Sequence, residues 1–172
     1  DLVMLWCFAL GLRVAEAAAL NVDDVIHPEH GAMPAIRVRG KGQKERTIPL
    51  KMAGYNAIQD YLDERVDTVG PNPLLACCYG GDGVRRMGTC GLHKRFANLA
   101  KQAGIPADKR HPHAMRHGFA TRMLFESSVP GGIYTVSKLL GHSRVSTTEI
   151  YLHCSSKRLE QAMLADPLGA GV

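Results

Sequence analysis

Apolar residues crowd the first twenty positions, as LVMLWCFALGL and then AEAAAL, and the second run is built from strong helix formers. The pattern predicts helix from about Leu2 to Leu20, broken near Gly11, with a turn over Asn21 to Asp24. It then changes period. AIRVRG and ERTIPL alternate apolar and polar residues on either side of GKGQK, which predicts a β-hairpin with a basic, Gly-rich tip and a second strand ending at Pro49. From Met52 the apolar positions Ala57, Ile58, Tyr61, Leu62 and Val66 return to helical spacing. Gly and Pro dominate 70–91, which reads as loop, and helix resumes over Leu92 to Ala103, closing at Gly104. Pro112 suits the first turn of a helix running to about Glu126. YTVSKLL forms a short helix closed by Gly141, and Ser146 with Glu149 fits a capping box opening a last helix from Thr147 towards Leu164. The fold class is α+β, mainly helical, with one small antiparallel sheet.

Length and composition narrow this further. The 172 residues, 45% of them hydrophobic, suit one well-cored domain rather than two. A net charge of +5 favours a polyanionic partner, though many basic domains bind no nucleic acid. The cysteines Cys7, Cys77, Cys78, Cys90 and Cys154 lack the paired short spacings of zinc sites and read as free thiols in a reducing cytosol. The opening apolar run is too short to cross a bilayer and reads as a buried helix. The chain begins at Asp1, inside that helix and without an initiator Met, which points to a piece of a longer chain.

Four segments gather groups able to do chemistry. In GLRVAEAAAL, Arg13 sits inside an otherwise apolar helix, and Glu16, three residues on and so on the same face, can hold its guanidinium; taken alone, the segment favours a structural ion pair. In GKGQKER, Lys41 lies between glycines that permit close backbone approach to a ligand, or is simply a solvated turn lysine. HPHAMRHGFATRML sets His113 and Arg116 on one helix face with His117 beside them, a pattern suited to an anion. His111 and His113 are conceivable zinc ligands, but no carboxylate or thiolate nearby in sequence completes a set. In LLGHSRVSTTEIYLH, the break between Gly141 and Ser146 lets His142 and Tyr151 converge, although Tyr151 is equally readable as a core tyrosine with a satisfied phenol.

Together the motifs GLR-x-x-E, H-x-x-RH-x-FAT and LLGHS-x-x-STT-x-x-Y-x-H, in this order and spanning Gly11 to Tyr151, resemble the tyrosine recombinases of the phage integrase and Xer-like family. The resemblance implies a catalytic domain of the tyrosine recombinase and type IB topoisomerase kind over 1–172, without the family's N-terminal core-binding domain. It implies a catalytic set of Arg13, Lys41, His113, Arg116, His142 and Tyr151, with Lys41 the softest assignment because Lys44 and Arg46 share the hairpin. Ala15 stands where many relatives have Ser.

The same resemblance implies double-stranded DNA as partner and a cytoplasmic location on the nucleoid. It implies assembly as a tetramer on paired sites, with the helix after Tyr151, bearing Lys157, Arg158, Leu159 and Met163, exchanged between protomers. It also implies phosphodiester cleavage to a 3′-phosphotyrosine, with no metal, ATP or other cofactor and no membrane. A free phenol, with a pKa of about 10, is ionised in only about one molecule in a thousand at neutral pH, so a base or a strong positive field is required. A topoisomerase without sequence choice, and a DNA-binding module that has lost activity, are the competing expectations.

Overall fold

The computed structural model describes residues 1–29, 31–40, 42, 44–65, 72–78, 84–125 and 132–141. Helices α1 (Leu2–Ala9) and α2 (Val14–Ala19) are separated by a sharp break at Gly11, whose φ is +78°. A 3-10 turn, Val22–Asp24, leads into a three-stranded antiparallel sheet of β1 (Val25–Ile26), β2 (Ala35–Arg39) and β3 (Glu45–Pro49), in that spatial order. Helix α3 (Met52–Glu64) follows. A two-stranded ribbon, β4 (Ala76–Cys78) and β5 (Val84–Arg86), precedes α4 (Thr89–Gln102), and α5 (Pro112–Phe125) and α6 (Gly132–Leu140) complete the described elements.

The main core is built from faces that the apolar periodicity marks out. Val3, Met4, Cys7 and Phe8 of α1 pack with Ile36 and Val38 of β2, Ile48 of β3, Ile58 of α3, and Leu92 and Phe96 of α4. Phe8 and Phe96 meet edge to face with centroids 5.5 Å apart, an arrangement favoured by the ring quadrupoles. Burial pushes the Cys7 thiol up to about 12, so it behaves as a small apolar side chain. A second, smaller core joins Phe119 and Ala120 of α5 to Val136 and Leu140 of α6. Gly11 sits where the two meet: a Cβ there would lie 2.6 Å from Phe119 Cδ1 and 3.0 Å from Leu140 Cδ2.

The basic-tipped hairpin, α3, α5 and α6 stand where the sequence pattern puts them. Two features differ from it. The stretch read as loop over 70–91 contains the β4–β5 ribbon, registered Ala76 to Arg86 and Cys77 to Arg85, and the start of α4. Strands of three residues are too short to establish an alternation against a Gly-rich background. Arg13 is not inside a helix but at the N-cap of α2, in extended conformation. The last predicted helix, Thr147 towards Leu164, lies outside the described residues.

Candidate active site

The break between α1 and α2 shapes the site. Because Gly11 turns the chain, Arg13 meets α2 end-on. Glu16 accepts the Arg13 backbone N–H at 2.8 Å, which satisfies one of the orphan donors of a helix start, and its Oε1 accepts Arg13 Nη1 at 2.8 Å. Glu16 is 5% exposed, whereas the Arg13 side chain keeps 43% of its surface open to solvent. Held at one edge and open at the other, Arg13 can present donors to an anion.

Arg116 comes from α5 and is buried. Its Nη1 donates to the carbonyl of Gly11 and its Nη2 to the carbonyl of Leu140 at 2.7 Å, while Nη1 stands 4.0 Å from Glu16 Oε2. Arg13 Nη1 reaches the same Leu140 carbonyl at 3.5 Å. The two arginines of the GLR-x-x-E and H-x-x-R motifs therefore meet at the C-terminal end of α6, where the helix dipole favours positive charge. Gly141, with φ +66°, ends that helix immediately before His142.

His113 lies on the exposed side of α5, one turn before Arg116. Partial desolvation, followed by the positive charges of Arg116, His111, His117 and Arg13, holds its imidazole below the ordinary 6.5. Among the described residues no cluster of three or more His, Cys, Asp or Glu forms around His111 and His113 or anywhere else.

Arg46, which in the sequence stands out only as a neighbour of Lys41 on the hairpin, is part of the site. Its Nη1 and Nη2 grip the two Glu16 oxygens at 2.9 and 2.8 Å, and its Nε donates to the Leu139 carbonyl at 2.8 Å. Register holds the signal that finds it. Arg46 pairs with Val38, and Ile48 with Ile36, so Arg46 shares the hairpin face of buried apolar residues. Burial pushes the Glu16 carboxyl up, but hydrogen bonds and charge from Arg46, with those from Arg13, outweigh it and leave the carboxyl below the usual 4.5.

Of the six residues singled out by sequence, the structure brings Arg13 and Arg116 together at the Leu140 carbonyl and places His113 on α5 one turn before Arg116; Lys41, His142 and Tyr151 lie outside the described residues. The described chain ends its last helix beside Arg13 and Arg116, on the approach to His142.

A family model, the phage integrase family, matches residues 1–158. The chain belongs to that family. It is 36% identical over 157 residues to the tyrosine recombinase XerD of Listeria monocytogenes serotype 4b (strain F2365), covering 89% of this chain and 49% of the relative. The crystal structure of XerA recombinase superposes with a TM-score of 0.74 at 32% identity, over 94% of this chain and 56% of that one. XerH site-specific recombinase, in a post-cleavage complex with a palindromic difH substrate, superposes with a TM-score of 0.72 at 28% identity, over 95% of this chain and 44% of that one. The mostly helical architecture with its small antiparallel sheet is thus that of a tyrosine recombinase. The chain spans about half the length of the curated relatives it matches.

Proposed function

We propose that this chain is the catalytic part of a site-specific DNA recombinase that breaks and rejoins DNA strands through Tyr151. The observation that carries the reading is the meeting of Arg13 and Arg116, from two motifs, at the Leu140 carbonyl that ends α6, which the sequence continues directly into His142 and the Tyr151 motif. Membership of the family supplies the chemistry that such a cluster serves.

A phosphodiester repels nucleophiles with its anionic oxygens, and attack concentrates more negative charge on them. Arg13 presents its exposed guanidinium to the non-bridging oxygens, while Arg116 and His142 add positive charge and hydrogen bonds. Removing one such contact costs about 100- to 1,000-fold in rate. The Tyr151 phenolic oxygen attacks phosphorus and its proton passes to His113, which partial desolvation and then the neighbouring positive charges hold in the neutral form that accepts a proton. The bond from phosphorus to the 5′ oxygen breaks, and Lys41 protonates the departing oxygen. The products are a 3′-phosphotyrosine and a 5′-hydroxyl. Attack by the 5′-hydroxyl of a second strand reverses the steps and reseals the DNA, so the ester bond is conserved and neither ATP nor a metal ion enters the balance.

The acting form in this reading is a homotetramer on paired duplex sites in the cytoplasm, with the segment after Tyr151 docked on a neighbouring protomer. Deletion beyond Ser156 is expected to abolish assembly on DNA in sedimentation, and undiminished assembly contradicts the docking. The reading as a whole is tested with duplexes of randomised sequence carrying a nick that traps the cleaved state. The wild-type chain is expected to form adducts resistant to SDS, and Tyr151→Phe to form none while binding DNA comparably. Adducts that persist in the variant contradict the reading, as does plasmid relaxation indifferent to sequence, which is the behaviour of a topoisomerase.

A further inference from the structure

Arg46 occupies an unexpected place. Its register neighbours on the same hairpin face, Ile36, Val38 and Ile48, are buried and apolar, and its own side chain is 12% exposed. An arginine there loses most of its hydration, and a buried ion pair is often no more stabilising than well-packed apolar residues of similar volume. Stability alone does not account for the charge.

What Arg46 touches does. Its guanidinium spans Glu16, the carboxylate that holds Arg13, and the carbonyl of Leu139 at the end of α6. It packs against Gly141, where a Cβ would stand 2.7 Å from Nη1 and 3.0 Å from Cζ. Arg46 itself belongs to β3, the strand that leaves the hairpin tip bearing Lys41. One side chain thus joins three pieces of chain that each carry part of the catalytic set: the Arg13 segment, the Lys41 hairpin and the helix leading into His142. A planar guanidinium suits the task, because its fork engages both carboxylate oxygens while Nε remains for the carbonyl. A lysine ammonium cannot reproduce that geometry.

We propose that Arg46 is a positioning residue for strand cleavage, a clamp that fixes Arg13 through Glu16 and fixes the approach to His142 through Leu139. The inference rests on the recombinase reading above. Arg46 touches no reacting atom in this account, so its removal should slow the chemical step and leave DNA binding nearly intact.

The test measures single-turnover adduct formation on a nicked duplex recovered with the wild-type chain from a randomised pool. Arg46→Lys, Arg46→Ala, Glu16→Gln and the Arg46→Ala/Glu16→Gln pair are compared, each normalised to its folded fraction by circular dichroism. Misplacement of a catalytic group by about 1 Å can cost about 100-fold. Arg46→Ala is expected to lower the rate at saturating DNA by about that factor while DNA half-saturation stays within about threefold of wild type. Arg46→Lys, which keeps the charge and the fold, is expected to restore the rate only in small part. The pair should be little slower than the slower single variant, because both members serve one linkage. Rates of Arg46→Lys and Arg46→Ala within about threefold of wild type overturn the inference, as do strictly multiplicative effects in the pair. Failure of the wild-type chain itself to form an adduct counts instead against the recombinase reading.

Discussion

Arg116 Nη2 donates to the carbonyl oxygen of Leu140 at 2.7 Å, tying the buried face of α5 to the end of α6 just before His142. The same guanidinium bonds the carbonyl of Gly11, so one side chain secures both backbone turns that frame the site.

Arg116 therefore has a structural duty beside the chemical one proposed for it. Arg116→Ala leaves two buried carbonyls without this donor, and charged hydrogen bonds of this kind contribute about 1.5 to 3 kcal/mol each, not strictly additively. Urea unfolding should show a loss of about 2 to 4 kcal/mol alongside lost cleavage. A variant as stable as wild type would remove the structural half of the assignment.

Glu16 makes stability depend on acid pH. Its folded-state carboxyl lies below the ordinary 4.5, so the stabilisation is fully present above that value and is lost as pH falls towards the folded-state value. In Glu16→Gln this component is missing. The stability gap between wild type and Glu16→Gln should stay constant near neutrality and narrow below pH 4.5. A gap that widens in acid contradicts the ion-pair network.

His113 should titrate below 6.5 in the free protein when followed by NMR. Because the folded state resists the proton that the unfolded chain takes up, this group weakens stability as pH falls through 6.5 and has little effect above it. His111→Ala removes one of the charges acting on the ring and should move the midpoint upward. An unmoved midpoint would mean that the clustering of His111, His113 and the arginines is not felt at the imidazole.

Gly11 tests the break between α1 and α2. Alanine there meets both an unfavourable φ of +78° and Phe119 at 2.6 Å. Left-handed backbone strain and overpacking each cost about 1 to 3 kcal/mol, so Gly11→Ala should lower the urea midpoint markedly without changing the slope. An unchanged midpoint is the opposing result.

Much of this architecture was legible because its signals are local. The hairpin announces itself through alternation around a Gly-rich tip, and α6 through its closing Gly141. The ribbon at Ala76 and Val84 was not legible, since three residues per strand give alternation no room and the pairing is decided by distant partners. The three-residue spacing of Arg13 and Glu16 predicts their pairing on one helical face; the pair forms, but the turn at Gly11 makes the contact an N-terminal cap instead. Arg46 escaped because a charged residue in a strand reads as surface. Its burial depends on a carboxylate thirty positions away and a carbonyl from α6, neither of which lies near it in sequence. The motifs make Arg13 and Arg116 visible as candidates, whereas what holds these two in place is mostly backbone carbonyls and one buried glutamate.

The most direct measurement is the chemical identity of the DNA–protein link. Adducts trapped on a nicked duplex, digested with nuclease and protease, are analysed by tandem mass spectrometry. The expected product is a nucleotide joined through its 3′ phosphate to Tyr151, with a free 5′-hydroxyl on the other DNA end. A link to any other residue, a 5′-phosphate attachment, or the absence of any adduct from the wild-type chain would contradict it.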